Sequence, residues 1–373
     1  MLSCCVFHTG CDPLEYDAQV IRRNLQAEYG MLPAGKHDAD VIVYLGCSFS
    51  EQKEREFESV IDELLDSLDG RLLVVSGCYL REYRSHSQLR FARKEEVVAV
   101  VGEYIRKTDH DGVSGSMKLP EHGPVIAISE GCYGQCSFCS IKLVRGRHRS
   151  RPLRQILEEV AEASAVYPVI KLAAQDVAAY GRDCSVTLGS LLRALFKEFP
   201  SIKVKLGPLN PEWLMKSSDG DLGLLGRNNM VGNIHIPLQS ASDAILRPMN
   251  KRYPYRAFAA LWEKLLRLGV TSLSTDLMAG FPGERQRDHE MNLEFLETHR
   301  LEFAQIFMYQ PRPGTQAATY KQLPYRIRLE RTVDLIAKYI GAYMRFHGIA
   351  LNQLLCGKQI IPPFNSNVDF RRE

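Results

Sequence analysis

Short apolar runs alternate with amphipathic segments through the first hundred residues. Apolar residues recur at helical spacing in 14–29 and 51–68. Continuous apolar runs predict strands at 4–8, 41–45, 72–76 and 97–101. Strands that alternate with helices are typical of a parallel sheet covered on both faces. We therefore predict an N-terminal flavodoxin-like α/β domain over residues 1–107.

The same alternation resumes on a longer scale after residue 123. The strands predicted there cover 125–129, 169–174, 202–206, 233–237, 272–278 and 303–309. Six βα units of this kind predict a partial (β/α)6 barrel over residues 124–350, and the loops after its strands should meet at one rim. Residues 108–123 contain few large apolar side chains and are interpreted as a linker. Residues 351–373 are interpreted as a C-terminal tail, of which 362–373 is expected to be frayed.

Three cysteines lie close together in the loop after the first barrel strand. Cys132, Cys136 and Cys139 have the spacing Cys-x3-Cys-x2-Cys. Three thiolates leave one iron of a [4Fe–4S] cluster open for chemistry, whereas structural zinc needs a fourth Cys or His, for which His148 is the nearby candidate. The spacing favours a catalytic cluster over a zinc knuckle or unrelated buried thiols.

A second set of cysteines lies in the first domain. Cys11, Cys47 and Cys78 each follow a glycine and each come just after a predicted strand. The carboxyl ends of parallel strands share one edge of a sheet, so these residues are expected to meet there and to bind a second cluster. Burial as ordinary free thiols is the alternative.

The chain resembles the methylthiotransferases of the radical S-adenosylmethionine (SAM) superfamily. The resemblance rests on Gly-Cys-x4-Tyr-Asp at 10–17, Ser-Glu-Gly-Cys at 129–132, Gln-Asp at 175–176, Pro-Leu-Gln-Ser at 237–240, Thr-Asp at 275–276, Gly-Phe-Pro-Gly-Glu at 280–284 and Pro-Arg-Pro-Gly-Thr at 311–315. It implies that Cys132, Cys136 and Cys139 hold the radical-generating cluster, and that SAM on its open iron yields a 5′-deoxyadenosyl radical. It also implies that the set Cys11, Cys47 and Cys78 carries an auxiliary [4Fe–4S] cluster that supplies sulfur.

By the same resemblance, further residues at the barrel rim are expected to contact SAM. They are Phe138, Gln175, Asp176, Gln239, Thr275, Asp276, Gly280 and Gly283. The implied reaction converts a substrate C–H group to C–SCH3, with one SAM as methyl donor and another as radical source. It also implies an electron donor of the flavodoxin or ferredoxin type and a source of sulfur.

Composition restricts the partners and the compartment. The 373 residues carry a formal net charge of +3 and ten cysteines. With no signal-peptide pattern and no apolar run of about 18 residues, we predict a cytoplasmic protein without a membrane partner. The basic run Lys142, Arg145, Arg147, His148, Arg149, Arg151 and Arg154 is interpreted as a solvated face.

The substrate is the least determined part of the prediction. Family members that act on transfer RNA (tRNA) or a ribosomal protein carry a C-terminal TRAM β-barrel, which is not recognisable after residue 350. We therefore expect a peptide or small-molecule substrate in preference to tRNA. A tRNA adenosine methylthiotransferase is the alternative, since Gly207 with Leu-Asn-Pro at 209–211 resembles a branch acting on a modified adenosine. A non-enzymatic iron–sulfur carrier or scaffold is the third hypothesis, which the barrel motifs oppose.

Overall fold

The computed structural model describes residues 2–47, 49–79, 85–108 and 124–349, together with a short strand at Phe364–Ser366. Contacts divide the chain into two units, one of 1–127 with Leu143–Arg145, and one of Ile128–Lys142 with the chain from Gly146 onward. The predicted linker lies outside the described residues apart from Thr108. Most of the predicted tail lies outside them too, but Phe364–Ser366 forms a strand where fraying was expected. The domain boundaries at 107 and 124 stay predictions.

The first unit is built around a parallel five-stranded sheet. Its strands are β1 (Ser3–His8), β2 (Leu32–Pro33), β3 (Val41–Cys47), β4 (Leu72–Cys78) and β5 (Leu89–Phe91), in the spatial order β2-β1-β3-β4-β5. A further strand, β6 (Val125–Ala127), follows in this part of the chain and does not belong to that sheet. The sheet order is that of flavodoxin, so the predicted fold of this unit is confirmed.

Period-two alternation in β3 explains how both faces of this sheet are covered. Val41, Val43 and Leu45 pack on one side with residues of α1 (Asp12–Tyr29), and Ile42 and Tyr44 pack on the other with residues of α2 (Glu51–Asp66). All seven residues of β3 are buried. A continuous apolar run is what a parallel strand between two helical layers requires.

One predicted strand is a helix. Residues 97–101 lie in α3 (Val97–Thr108), where Val97, Val101 and Ile105 are buried at intervals of four while Ala99 is exposed. A half-buried strand would bury every second residue instead. The β-branched valines therefore suggested the wrong element, because packing of one helical stripe outweighs their preference for strands.

The second unit contains the parallel strands of the partial barrel. Its strands are β7 (Ser129–Glu130), β8 (Arg149–Ser150), β9 (Val169–Ala173), β10 (Lys203–Leu206), β11 (Ile234–His235), β12 (Leu273–Ala279), β13 (Phe303–Met308) and β14 (Phe364–Ser366). β9 and β10 pair in parallel, β11 to β14 form a second parallel sheet, and the short β7 and β8 pair antiparallel. The α/β barrel prediction is confirmed, with the first predicted strand divided into β6 and β7.

Helices connect these strands. They are α4 (Ile141–Arg145), α5 (Leu153–Ser164), α6 (Leu188–Glu198), α7 (Pro211–Leu214), α8 (Asp219–Leu222), α9 (Asp243–Leu246), α10 (Tyr255–Arg267), α11 (Gln286–Thr298) and α12 (Tyr325–His347). In the described part of the chain, none of the helices is both long and apolar enough to span a lipid bilayer.

Candidate metal centres

The sheet of the first unit brings its three predicted ligands together. Cys11 caps the N-terminus of α1, and Cys47 and Cys78 are the last residues of β3 and β4, where they are register partners. Although part of Cys11 reaches solvent, burial of its sulfur raises the pKa of this thiol to about 12, and the neighbouring Cys78 and Cys47 add to the rise. The three sulfurs therefore share one edge of the sheet, as their positions after successive strands predict.

Two of the glycines that precede these cysteines have a packing role. A side chain on Gly46 would overlap the ring of Phe57. Gly77 has a φ of +106°, and a side chain there would collide with the Gly46 backbone. Glycine is required at both positions because neighbouring protein atoms occupy the space of a Cβ.

Replacing Gly77 by alanine should therefore destabilise the first unit. We expect Gly77→Ala to lower the free energy of unfolding by about 3 kcal/mol, since it combines a strained φ with a backbone collision. Urea unfolding followed by circular dichroism measures this change. The matched control is Gly35→Ala, at an exposed position with an ordinary φ, where a change within about 0.5 kcal/mol is expected. Equal stability of the two variants would contradict the packing role.

The thiol of Cys78 also contacts a charged side chain. Arg145 Nε donates a hydrogen bond to Cys78 Sγ over 2.9 Å, and Arg145 Nη1 lies 2.6 Å from Asp17 Oδ2. Burial would lower the pKa of Arg145, but Cys78 and Asp17 raise it above its usual range. Asp17 belongs to the Gly-Cys-x4-Tyr-Asp motif and Arg145 to the basic run, yet sequence reasoning gave neither residue a role at the auxiliary centre.

The predicted radical-generating cysteines lie in the loop between β7 and α4. Two hydrogen bonds anchor this loop to a distant segment. Ser137 N donates to Met249 O over 3.1 Å, and the side-chain amide of Asn250 donates through Nδ2 to Gln135 O over 2.8 Å. Gly131 has a φ of +72°, and a Cβ there would strike the Arg147 carbonyl. These contacts fix the loop before any cofactor binds.

The thiols of this loop are chemically suited to a metal cluster. Burial raises the pKa of Cys132 to about 12 and that of Cys139 to about 11, and Asp176 adds to the rise at Cys132. Such thiols ionise only beside a strong positive charge, which a metal cluster supplies. The Gly134 amide donates to Cys132 Sγ over 3.2 Å, as amides do to ligating sulfurs.

Lys251 is a second residue that sequence reasoning missed. Burial alone would lower the pKa of Lys251, but the adjacent Cys136 sulfur raises it above its usual range. Its ammonium also lies 5.6 Å from the ring centroid of Phe138, which packs edge-on against Phe281. Phe138 is therefore a packing residue of this loop, and its predicted contact with SAM stays a prediction.

A single-ion site is a different arrangement from a cluster. Among the described residues, no group of three or more His, Cys, Asp or Glu side chains is placed to hold one metal ion. In an iron–sulfur cluster each thiolate binds a different iron, so the ligating sulfurs stand farther apart than around one ion. The two all-thiol donor sets fit a cluster by their chemistry.

Three predicted SAM contacts present buried acceptors. Gln175 Oε1, Asp176 Oδ2 and Gln239 Oε1 are buried and accept no hydrogen bond of ordinary geometry from the described residues. Each unsatisfied buried acceptor costs about 1–3 kcal/mol. Burial also raises the pKa of Asp176 to about 6. The ammonium and hydroxyl groups of SAM are suitable donors to such acceptors, and the Trp213 side chain is a further donor near Asp176. The contacts of these three residues with SAM stay predictions.

The other predicted contacts are already engaged within the protein. Asp276 Oδ1 lies 2.8 Å from His235 Nε2, and Asp276 Oδ2 accepts from Gln239 Nε2 over 3.2 Å. Gln239 has a φ of +75°, which is strained for a residue with a side chain. Asp276 therefore holds the side-chain amide of Gln239 through Nε2, and the Oε1 atom of Gln239 remains as the acceptor.

The hydroxyl of Thr275 is bonded within the protein. It donates to Ile236 O over 2.7 Å and accepts from Leu238 N, so this buried side chain has a structural role between β12 and the segment that follows β11.

Gly280 and Gly283 lie in a turn after β12. A side chain on Gly280 would collide with Arg328 of α12, so protein packing already explains this glycine. Its amide donates to the carboxylate of Glu284, whose pKa is raised by burial to about 7. Gly283 has a φ of +87° and faces open space. The predicted contacts of both glycines with SAM stay predictions.

The basic run is not one solvated face. His148 is buried and stacks on Tyr133 at 4.8 Å between ring centroids, and the Arg145 side chain is 6% exposed. Arg151 pairs with Glu159, and Arg154, with 90% exposure, pairs with Glu158. The interpretation as a solvated face is therefore wrong for Arg145, which pairs with the buried Asp17, and for His148, whose ring is buried against Tyr133.

Two separate parts of the chain match known families. Residues 126–296 match the Radical SAM superfamily, and residues 3–102 match the uncharacterized protein family UPF0004. Among solved structures, the radical S-adenosylmethionine methyltransferase TsrM from Kitasatospora setae has a TM-score of 0.56 at 11% identity, over 82% of this chain and 74% of that one. At this identity the likeness concerns the fold alone.

Curated relatives extend over most of the chain. The threonylcarbamoyladenosine tRNA methylthiotransferase of Danio rerio is 28% identical, over 88% of this chain and 64% of that protein, less than two thirds of its length. The probable threonylcarbamoyladenosine tRNA methylthiotransferase of Pyrococcus horikoshii is 26% identical, over 91% and 87%. The tRNA-2-methylthio-N(6)-dimethylallyladenosine synthase of Chlorobium phaeobacteroides is 28% identical, over 88% and 79%.

These relatives overturn one expectation. The preference for a peptide or small molecule over tRNA is wrong, because the relatives that align along most of the chain are tRNA enzymes by name. The modest net charge of +3 does not argue against a tRNA substrate. A whole-chain sum does not describe the local charge of a binding surface, which is what meets the phosphates.

Proposed function

Because the chain belongs to the radical SAM methylthiotransferase family, we propose that it replaces a C–H hydrogen of an adenosine in tRNA with a methylthio group. The observation that carries this proposal is the presence of two separate all-cysteine sets, one in each unit, each short of a fourth ligand. Methylthio transfer needs both a radical source and a sulfur donor, and one chain with two open clusters can provide both. A scaffold needs neither an open iron nor buried acceptors beside it.

When bound, the clusters and SAM supply a 5′-deoxyadenosyl radical, a methyl group and the sulfur that is transferred. The chain's own residues position these groups. Cys132, Cys136 and Cys139 would hold the radical-generating cluster, and Gln175, Asp176 and Gln239 would accept hydrogen bonds from SAM. Burial of these acceptors excludes water, which protects a reactive radical from side reactions.

A basic aromatic group in the second unit supports a nucleic-acid substrate. Tyr133, within the cysteine loop, packs edge-on against Trp213 with 5.7 Å between ring centroids. Exposed Arg182 and Lys216 lie over the Trp213 ring, at 5.1 and 4.4 Å from its centroid. Aromatic rings flanked by cations are typical of surfaces that bind bases and phosphates of unpaired RNA. This group lies beside the loop that would carry the radical source.

A reducing, cytoplasmic compartment suits this chemistry. All nine cysteines in the described part of the chain are free thiols, and they include both predicted ligand sets. An oxidising compartment would join such thiols as disulfides and remove the ligands.

The proposal predicts a specific product in tRNA. The full chain, reconstituted anaerobically with iron and sulfide, is incubated with SAM, dithionite and tRNA that carries either N6-threonylcarbamoyladenosine or N6-dimethylallyladenosine. Nucleoside mass spectrometry should detect a methylthio derivative of one of them. The control is the Cys11→Ala/Cys47→Ala/Cys78→Ala variant, which should give none. Turnover of SAM without a methylthio nucleoside from either tRNA would overturn the assignment to tRNA.

A further inference from the structure

A buried arginine contacts one of the predicted ligands of the auxiliary cluster. Arg145 Nε donates to Cys78 Sγ over 2.9 Å, while Arg145 Nη1 lies 2.6 Å from Asp17 Oδ2. The side chains of Arg145 and Asp17 are each 6% exposed. A guanidinium in this position is desolvated, and its charge acts on the sulfur through a medium of low dielectric constant.

Asp17, the carboxylate that pairs with Arg145, is also approached by a second cation. Lys94 Nζ lies 3.5 Å from Asp17 Oδ1, whereas the Arg145 guanidinium is the cation that contacts the Cys78 sulfur directly. A cluster held by three thiolates is negatively charged and becomes more so on reduction. The positive charge of Arg145 therefore matches the group that this sulfur is expected to bind.

We propose that Arg145 is a positioning residue that holds the Cys78 sulfur for the auxiliary cluster and raises the reduction potential of that cluster. Hydrogen bonds and positive charge at ligating sulfurs stabilise the reduced state, because they offset the added electron. Asp17 orients the guanidinium and, as an anion, acts on the potential in the opposite direction. The inference rests on the proposed function, since it requires a cluster on Cys11, Cys47 and Cys78.

Arg145 and Asp17 carry opposite charges, so removing each charge should shift the reduction potential of the auxiliary cluster in opposite directions. Arg145→Gln removes the positive charge and should lower the potential of the auxiliary cluster. Asp17→Asn removes a negative charge while Arg145 stays charged, and should raise it. A purely structural role would instead move both variants in the same direction, because each breaks the same contact. Arg154→Gln is the matched control, since Arg154 belongs to the same basic run but is 90% exposed.

The auxiliary cluster is observed alone in the full chain with Cys132, Cys136 and Cys139 replaced by alanine. Each second substitution is added to this background, the protein is reconstituted anaerobically, and the midpoint potential is measured by redox titration monitored by electron paramagnetic resonance. Arg145→Gln should lower the ratio of reduced to oxidised cluster about tenfold at a fixed potential, which is a shift of about 59 mV for one electron. Arg154→Gln should leave the potential unchanged.

Each outcome decides the inference. Opposite shifts in Arg145→Gln and Asp17→Asn support it, as does loss of the auxiliary iron from Arg145→Gln with full iron in Asp17→Asn and Arg154→Gln. Shifts of the same sign, iron loss from both Arg145→Gln and Asp17→Asn, or potentials equal to that of Arg154→Gln would overturn it. Absence of any cluster from the background variant itself would count against the auxiliary cluster, and hence against the proposed function, before the role of Arg145 is tested.

Discussion

Replacing Cys132, Cys136 and Cys139 together by alanine should remove half of the bound iron and abolish reductive cleavage of SAM. The intact chain is expected to hold about eight iron and eight sulfide ions, since each of the two cysteine sets can hold one [4Fe–4S] cluster. Burial raises the pKa of Cys132 and Cys139, so these two thiols are costly to ionise without metal, and no described cysteine outside the set belongs to that loop. Without these ligands the radical-generating cluster cannot bind, and SAM cleavage should fall to the rate measured with the reagents alone.

Iron and sulfide analysis, together with chromatographic detection of 5′-deoxyadenosine, measures both effects after anaerobic reconstitution. Cys184→Ala is the matched control, because Cys184 is an exposed thiol of the same unit outside both sets. It should keep full iron and full cleavage. An intact protein with only one cluster, or a triple variant that still cleaves SAM, would show that the cluster assignment is wrong.

The corresponding replacement of Cys11, Cys47 and Cys78 should separate the two halves of the reaction. This variant is expected to lose the other half of the iron but to keep cleavage of SAM, because the radical-generating loop belongs to the second unit. Methylthiolation of tRNA should be abolished, since no sulfur is available for transfer. The two triple variants thus have the same iron content and opposite cleavage activity.

The measurement compares 5′-deoxyadenosine with methylthio nucleoside in the same reaction. Cys4→Ala is the control here. Cys4 is a buried thiol of the same sheet, but it lies within β1 and not at the carboxyl ends of the strands, where the predicted ligands meet. We expect it to retain both products. If the variant of Cys11, Cys47 and Cys78 still forms the methylthio nucleoside, the sulfur does not come from the first unit, and the auxiliary centre has another role.

The sequence alone predicts the two cysteine sets and most of the strands and helices. Cys132, Cys136 and Cys139 are close in the chain, so no fold is needed to bring their sulfurs together. Cys11, Cys47 and Cys78 are distant, yet each follows a strand, and the geometry of parallel sheets places such positions at one edge. Apolar runs such as 41–45 likewise predict buried strands, because a parallel strand is covered on both faces.

The tertiary structure decides what surrounds those ligands. Arg145 meets Cys78 across 67 positions of sequence and Asp17 across 128, and no local pattern encodes such contacts. The register of β11 against β12 brings the Thr275 hydroxyl within hydrogen-bond distance of Ile236 and Leu238, in the segment that follows β11. Residues 97–101 form a helix because one helical stripe finds a core to pack against. Ligand identity depends on spacing along the chain, whereas burial, charge compensation and side-chain orientation depend on which distant segments the fold brings into contact.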